Sequence, residues 1–212
     1  MTARRYFTIA LVVLIATVLG IRETVAQPGA TDDGLEQIDG LFRLTYVKPG
    51  VTFDRYRRIA LMDCYVEFHD QWLTDQNRSR NRAFEVTPED VEQLKAALSA
   101  EFKSVFAETL AEDDAFEVIP PGAATDVLLL RPAVLQVDVA PDIYGGQQAF
   151  SQTQGVSMTV YLEVYDSLSA TLLARLIDPQ TESSGGRTAP RRILRQWARS
   201  TREALTEDFR VD

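Results

Sequence analysis

Cysteine and histidine are almost missing from this chain of 212 residues; Cys64 and His69 are the only ones. A lone cysteine cannot close an internal disulfide, so in an oxidising compartment it pairs with another chain, reacts, or is buried as a small hydrophobe. Burial is the usual outcome. Structural zinc asks for four Cys- or His-type ligands and catalytic zinc for at least one or two histidines, more than this composition offers. Lysine is scarce as well, confined to Lys48, Lys95 and Lys103. There is no G-x-S-x-G elbow, P-loop or G-x-G-x-x-G. "DQWLTDQNRSRN" lacks the glycine and closing glutamate of an EF-hand loop. The net charge of −9 argues against nucleic acid or anionic lipid as the main partner. No catalytic residue, metal or cofactor is therefore assigned from the sequence.

The two rare residues share one stretch, "IALMDCYVEFHDQW", residues 59 to 72. Successive side chains of a strand point to opposite faces, so an offset of five puts Cys64 and His69 on different sides, roughly 16 Å apart. A thiolate–imidazole pair needs contact at about 3 Å. The expectation is a core Cys64 and a surface His69.

Arg4 and Arg5 precede an apolar run from Phe7 to Ile21, followed by Thr24-Val25-Ala26 with small residues where signal peptidase needs them. The run is shorter than the roughly 20 residues that cross a bilayer comfortably. Residues 1–26 read as a signal peptide cleaved near Ala26, leaving a periplasmic or secreted protein. Membrane contact is then expected only through an uncleaved signal. No cysteine lies near the cleavage point to accept a lipid anchor.

Residues 27–40 are polar, Gly-containing and aperiodic and read as a flexible tether, with one domain over 41–212. Strands are expected at 41–47, 57–68, 116–119, 126–139, 156–166 and 171–178. Thr87-Pro88-Glu89-Asp90 starts a helix whose face is Val91, Leu94, Leu98, Phe102, Val105, Phe106 and Leu110. A second helix runs from about Ala189 to Phe209 with Ile193, Leu194, Trp197 and Leu205 inward and Thr188 as cap. The expected fold is α+β, a mostly antiparallel sheet of about six strands in the order β-β-α-β-β-β-β-α, with two long helices on one face. Residues 70–82 and 141–155 are expected as loops, the second long enough to be functional or disordered.

Two features suit binding. Arg191, Arg195, Arg199 and Arg202 form a basic stripe on the final helix. The stripe is a solvated row, a set of partners for acids on the first helix, or a dock for an acidic protein. Tyr65, Tyr161, Tyr165, Leu173 and Ile177 fall on the sheet face away from the helices, which is either a protein-contact face or one covered by the loop around Gly145. Arg131 in "LLLRP" is out of place on an apolar face; a bulge at Pro132 that shifts the phase is preferred to a buried guanidinium.

The segments "YVKPG", "NRSR" before "VTPEDV", "DVLLLRPAVLQVDVAPD", "LEVYDSLSATLLARLID" and "ILRQWARSTREAL" resemble the bacterial exported family catalogued as domain of unknown function 3313. The resemblance covers about residues 40–209 and implies an exported single domain without an assigned activity. Many members of that family look like lipoproteins, and here Gln27 stands where their cysteine would be. "DVLLLRPAVLQV" followed by "VSMTVYLEVYDSLSATLLA" also resembles, more distantly, small α+β domains of periplasmic accessory proteins. The expected function is a non-enzymatic cell-envelope accessory component whose partner is another envelope protein. The alternatives are a carboxylate-dependent hydrolase with its cleft near 141–155, and a small-ligand carrier with a cavity between helices and sheet.

Overall fold

Two hydrophobic periods build this fold: alternation every second residue for strands, and three- and four-residue spacing for helices. The computed structural model describes residues 31–78, 80–142, 149–150, 155–183, 188–207 and 209. In chain order they form β1 (Glu36–Ile38), β2 (Leu44–Val47), β3 (Arg58–Leu61), β4 (Tyr65–Phe68), α1 (Trp72–Asn77), α2 (Pro88–Leu110), β5 (Glu117–Ile119), β6 (Val127–Asp138), β7 (Pro141–Asp142), β8 (Ala149–Phe150), β9 (Val156–Asp166), β10 (Leu172–Glu182) and α3 (Ala189–Thr206).

Eight strands join in one mixed sheet, ordered β1-β2-β10-β9-β6-β3-β5, with β4 continuing beside β6 beyond the end of β3. This overturns the expected six-stranded layout and its element order: the sheet is larger, and part of it is parallel. β3 runs parallel to both β5 and β6, and β4 runs parallel to β6. The parallel pairing has a cause in the connection. α2 carries the chain back along the sheet, so the strand that follows it enters in the direction of β3. β5 is short, which lets Pro120–Asp126 return the chain to start β6 on the other side of β3.

Two local departures explain the changed count. Glu36–Ile38, expected inside a tether, pairs antiparallel with β2. The single strand expected over 57–68 is broken at Met62–Cys64 into β3 and β4. Leu61 lies opposite Leu130 and Tyr65 opposite Ala133, so the broken strand carries one residue more than its neighbour. Pro132 lies at this break. Leu130 accepts from the Met62 N–H at 2.9 Å, so alternation turns the donor-less nitrogen of Pro132 toward the same interruption. β6 thus runs through Pro132 without the expected bulge, and the extra residue lies in the neighbouring strand. Within β6 the phase shifts at Gln136, where φ is 52° and the register against β9 and β4 slips.

The 70–82 segment is not all loop either. α1 seats the Trp72 ring in the core, with its Nε1–H donating to the Val139 carbonyl at 3.0 Å. α2 begins as expected: the Thr87 hydroxyl accepts from the Asp90 N–H and the Asp90 carboxylate accepts from the Thr87 N–H. Leu94, Leu98, Phe102, Val105, Phe106 and Leu110 are buried from that helix. α3 buries Ile193, Leu194, Trp197 and Leu205, but Thr188 makes no side-chain cap bond and the helix ends at Thr206. The long helices touch each other, α2 also reaches β4 and β5, and α3 reaches β9. Under them Val156, Met158, Val160, Leu162 and Val164 of β9 form the sheet side of the core. Among the described residues no helix is long and apolar enough to cross a membrane.

Candidate functional site

The residues of β9 that turn away from the core are Thr159, Tyr161, Glu163 and Tyr165. Register sets their neighbours. Arg175 of β10 and Arg131 of β6 stand on either side of Glu163, and Tyr46 of β2 stands beyond Arg175. A parallel row runs Tyr65, Ala133, Tyr161, Ile177, Leu44. Strand spacing of about 4.8 Å puts consecutive members of each row in side-chain reach.

Glu163 is the hub. It is only 7% exposed, yet it lies on the side away from the helices. The Tyr161 hydroxyl donates to its Oε1 at 3.0 Å and the Tyr165 hydroxyl to its Oε2 at 2.8 Å. Arg175 donates to Oε1 at 3.2 Å, and an Arg131 guanidinium nitrogen lies 3.5 Å from Oε2. Arg175 also pairs with Asp33 and lies 5.6 Å from the Tyr161 ring centroid.

These contacts fix the protonation states. Burial pushes the Glu163 carboxyl up, but the bonds from Tyr165, Tyr161 and Arg175 outweigh it and hold the pKa below the usual glutamate range. Asp33 is also held low: the Thr31 hydroxyl contributes most, and together with Arg175 it outweighs the opposing desolvation. Burial and the bond to Glu163 push both Tyr161 and Tyr165 up. A general acid needs a raised carboxyl pKa, and neither carboxylate has one. The arrangement orients donors and rings; it does not poise a proton for transfer.

The basic stripe splits in two. Arg191 reaches Glu101 at 3.4 Å and Glu108 at 3.2 Å on α2, and Arg202 reaches Asp113 at 3.2 Å and the Glu112 carbonyl at 3.1 Å. Arg195 and Arg199 have no ion-pair partner among the described residues. Tyr65 is 60% exposed and Ile177 is half-buried on the open face. Leu173 does not belong there, because the register slip between Leu172 and Ala174 turns it into the core. Arg131 is 64% exposed in its side chain and shares the open face with Leu129 and Ala133, so neither a bulge at Pro132 nor a buried guanidinium accounts for it.

Cys64 is buried, and desolvation pushes its thiol up to about 12, slightly opposed by the backbone at Val134. His69 lies half-buried, its Nε2 3.8 Å from Asp138 Oδ1. It lines a cleft of ≈ 270 Å³ between the end of β4, α1 and the start of α2. Part of the expected 141–155 loop is instead the small β7–β8 hairpin. Residues 143–148 and 151–154, with Gly145 and much of the cleft imagined for a hydrolase, lie outside the described residues, as do the expected signal and Ala26.

No protein-family model and no curated protein matches this chain. Solved structures that it is similar to include a single-substitution variant of the PelC dodecamer from Paraburkholderia phytofirmans (15% identity, TM-score 0.42, covering 79% of this chain and 95% of that one). The hypothetical protein CT253 from Chlamydia trachomatis aligns at 11% identity and TM-score 0.39, over 72% and 97%. A putative neuraminyllactose-binding hemagglutinin homolog from Helicobacter pylori aligns at 11% and 0.30, over 73% and 83%. At these scores the likeness carries nothing about function.

Sequence reasoning reached Tyr65, Tyr161 and Tyr165 but missed Glu163, Arg175 and Asp33. "YLEVY" did hold part of the signal, since Glu163 shares a face with the tyrosines two residues to either side. The arginines that complete the hub come from other strands, and only the register names them.

Proposed function

We propose that this chain is a non-enzymatic binding component of the cell envelope, exported with its signal removed near Ala26, and that its partner is another envelope protein. The resemblance to the exported family of domain of unknown function 3313 belongs to the same reading. The observation that carries it is the sheet face away from the helices, where Glu163 pins Tyr161, Tyr165 and Arg175 beside the exposed Tyr65. Tyrosine and arginine are the residue types enriched where proteins meet. Side chains already held in place lose less entropy on binding.

A photo-crosslinking amino acid at position 65, in cells making the full chain, tests the reading. One discrete adduct with an envelope protein is expected from position 65 and none from position 103, which is exposed on α2 at the helical side. Adducts from both positions, or from neither, defeat it.

A further inference from the structure

β4 is paired along one side only. β5 covers the outer side of β3 from Arg58 to Ala60 and stops there, so no described strand meets the outer side of β4. The His69 N–H donates inward to the Val137 carbonyl at 3.4 Å. Peptide groups alternate along a strand, so Val66 and Phe68 aim their N–H and C=O outward. Beside this ledge opens the ≈ 270 Å³ cleft. It falls just under the roughly 300–1,000 Å³ of small-molecule sites and suits one large apolar side chain. Phe68, Trp72, Leu73 and Val91 supply its apolar lining. Glu67, Asp70 and Glu92 add three negative charges, against Lys95, which is tied to Glu92 at 2.9 Å.

We propose that the outer side of β4 receives an extended peptide of a partner protein by strand addition. One apolar side chain of that peptide fills the cleft, and basic residues flanking it meet Glu67, Asp70 and Glu92. Main-chain bonds to Val66 and Phe68 hold the peptide, and the cleft and the acidic rim select its sequence. A second copy is a poor occupant, because pairing two β4 edges brings acid against acid. This inference rests on the reading of the chain as a binding component and names the partner's chemistry. Its test uses a peptide in vitro, so its failure is distinct from failure of the crosslinking at position 65.

The probe is the blocked peptide Lys-Val-Lys-Leu-Lys-Val-Lys, titrated into the ¹⁵N-labelled exported protein, beside a version with every lysine replaced by glutamate. Saturable binding of the basic peptide is expected, with amide exchange at Val66 and Phe68 slowed about tenfold or more. Glu92→Lys, at an exposed position, should weaken binding about tenfold with the melting temperature unchanged, and Val91→Arg should weaken it further. Three results overturn the proposal: exchange at Val66 and Phe68 unaltered at millimolar peptide, equal affinity for the glutamate version, or a dimer in sedimentation that Glu67→Lys alters, which would make a second copy the occupant.

Discussion

Glu163→Gln tests the hub with almost no change of shape. The native carboxylate accepts from Tyr161 and Arg175 on one oxygen and from Tyr165 and faces Arg131 on the other. Glutamine keeps one oxygen and turns an NH₂ toward the remaining donors. A tyrosine hydroxyl can rotate and accept from that amide; an arginine has no acceptor to offer. Hydrogen bonds to a charged group contribute about 1.5–3 kcal/mol each, and Glu163 is buried enough for that range to apply. Arg175 keeps its bond to Asp33, and Arg131 is mostly in solvent, so neither cation is left stranded. The expected loss is ~2–3 kcal/mol at pH 7, read from urea unfolding with an unchanged m value. The folded pKa of Glu163 lies below the unfolded one, so its contribution is full above about pH 4.3 and is lost as pH falls through the folded value. The gap between wild type and variant should therefore hold from pH 7 to about 5 and close only in stronger acid. A loss under about 0.5 kcal/mol at pH 7, or a gap that ignores pH, would refute the account of Glu163 as an ionised hub.

Leu98→Ala, at a wholly buried site on α2, should cost about 2–5 kcal/mol in the same urea assay. The Cys64 thiol, raised from 9.0 to about 12, should hold about a thousandfold less thiolate than a free cysteine near neutral pH, so the native protein should resist maleimide while the urea-unfolded chain labels quickly. Gln136→Gly should stabilise by about 0.5–1 kcal/mol, since glycine adopts the 52° φ of the bulge without a Cβ penalty; a destabilised variant would mean that the glutamine side chain matters more than its backbone. Reversing Arg195 and Arg199 to glutamate should leave stability within about 0.5 kcal/mol, because neither has an ion pair to lose among the described residues, and a larger drop in melting temperature would assign them a folding role.

Much of this architecture was legible where local chemistry and global packing agree. The Thr87–Asp90 capping box and the apolar positions behind it define α2 without help from the rest of the chain. β9 alternates cleanly, and its inward Val156, Met158, Val160, Leu162 and Val164 lie in the core. Failures cluster where the backbone changes phase without a glycine or a charge cluster to announce it. Met62–Asp63–Cys64 keeps the alternating pattern of hydrophobic and polar letters while breaking the strand, and Gln136 is an ordinary residue in a left-handed conformation. Glu36–Ile38 looks polar because it is an edge strand with little to bury. The candidate site was half legible for a different reason. Alternation names the tyrosines of one strand, whereas Arg131 and Arg175 reach Glu163 through pairings between strands far apart in the chain.

β2 joins the rest of the sheet through β10, and the Arg43 N–H bonds a carboxylate of Asp178, 135 residues away. A ribosome or a translocation channel delivers a chain from its amino end. The hairpin of β1 and β2 must therefore wait for its place in the sheet until the last hairpin has emerged, and the slow closure of so distant a pairing falls at the end of delivery. A chain cut short before Leu172 would leave Leu44–Val47 paired with β1 alone and cut off from the rest of the sheet, and such fragments should be prone to aggregation and proteolysis.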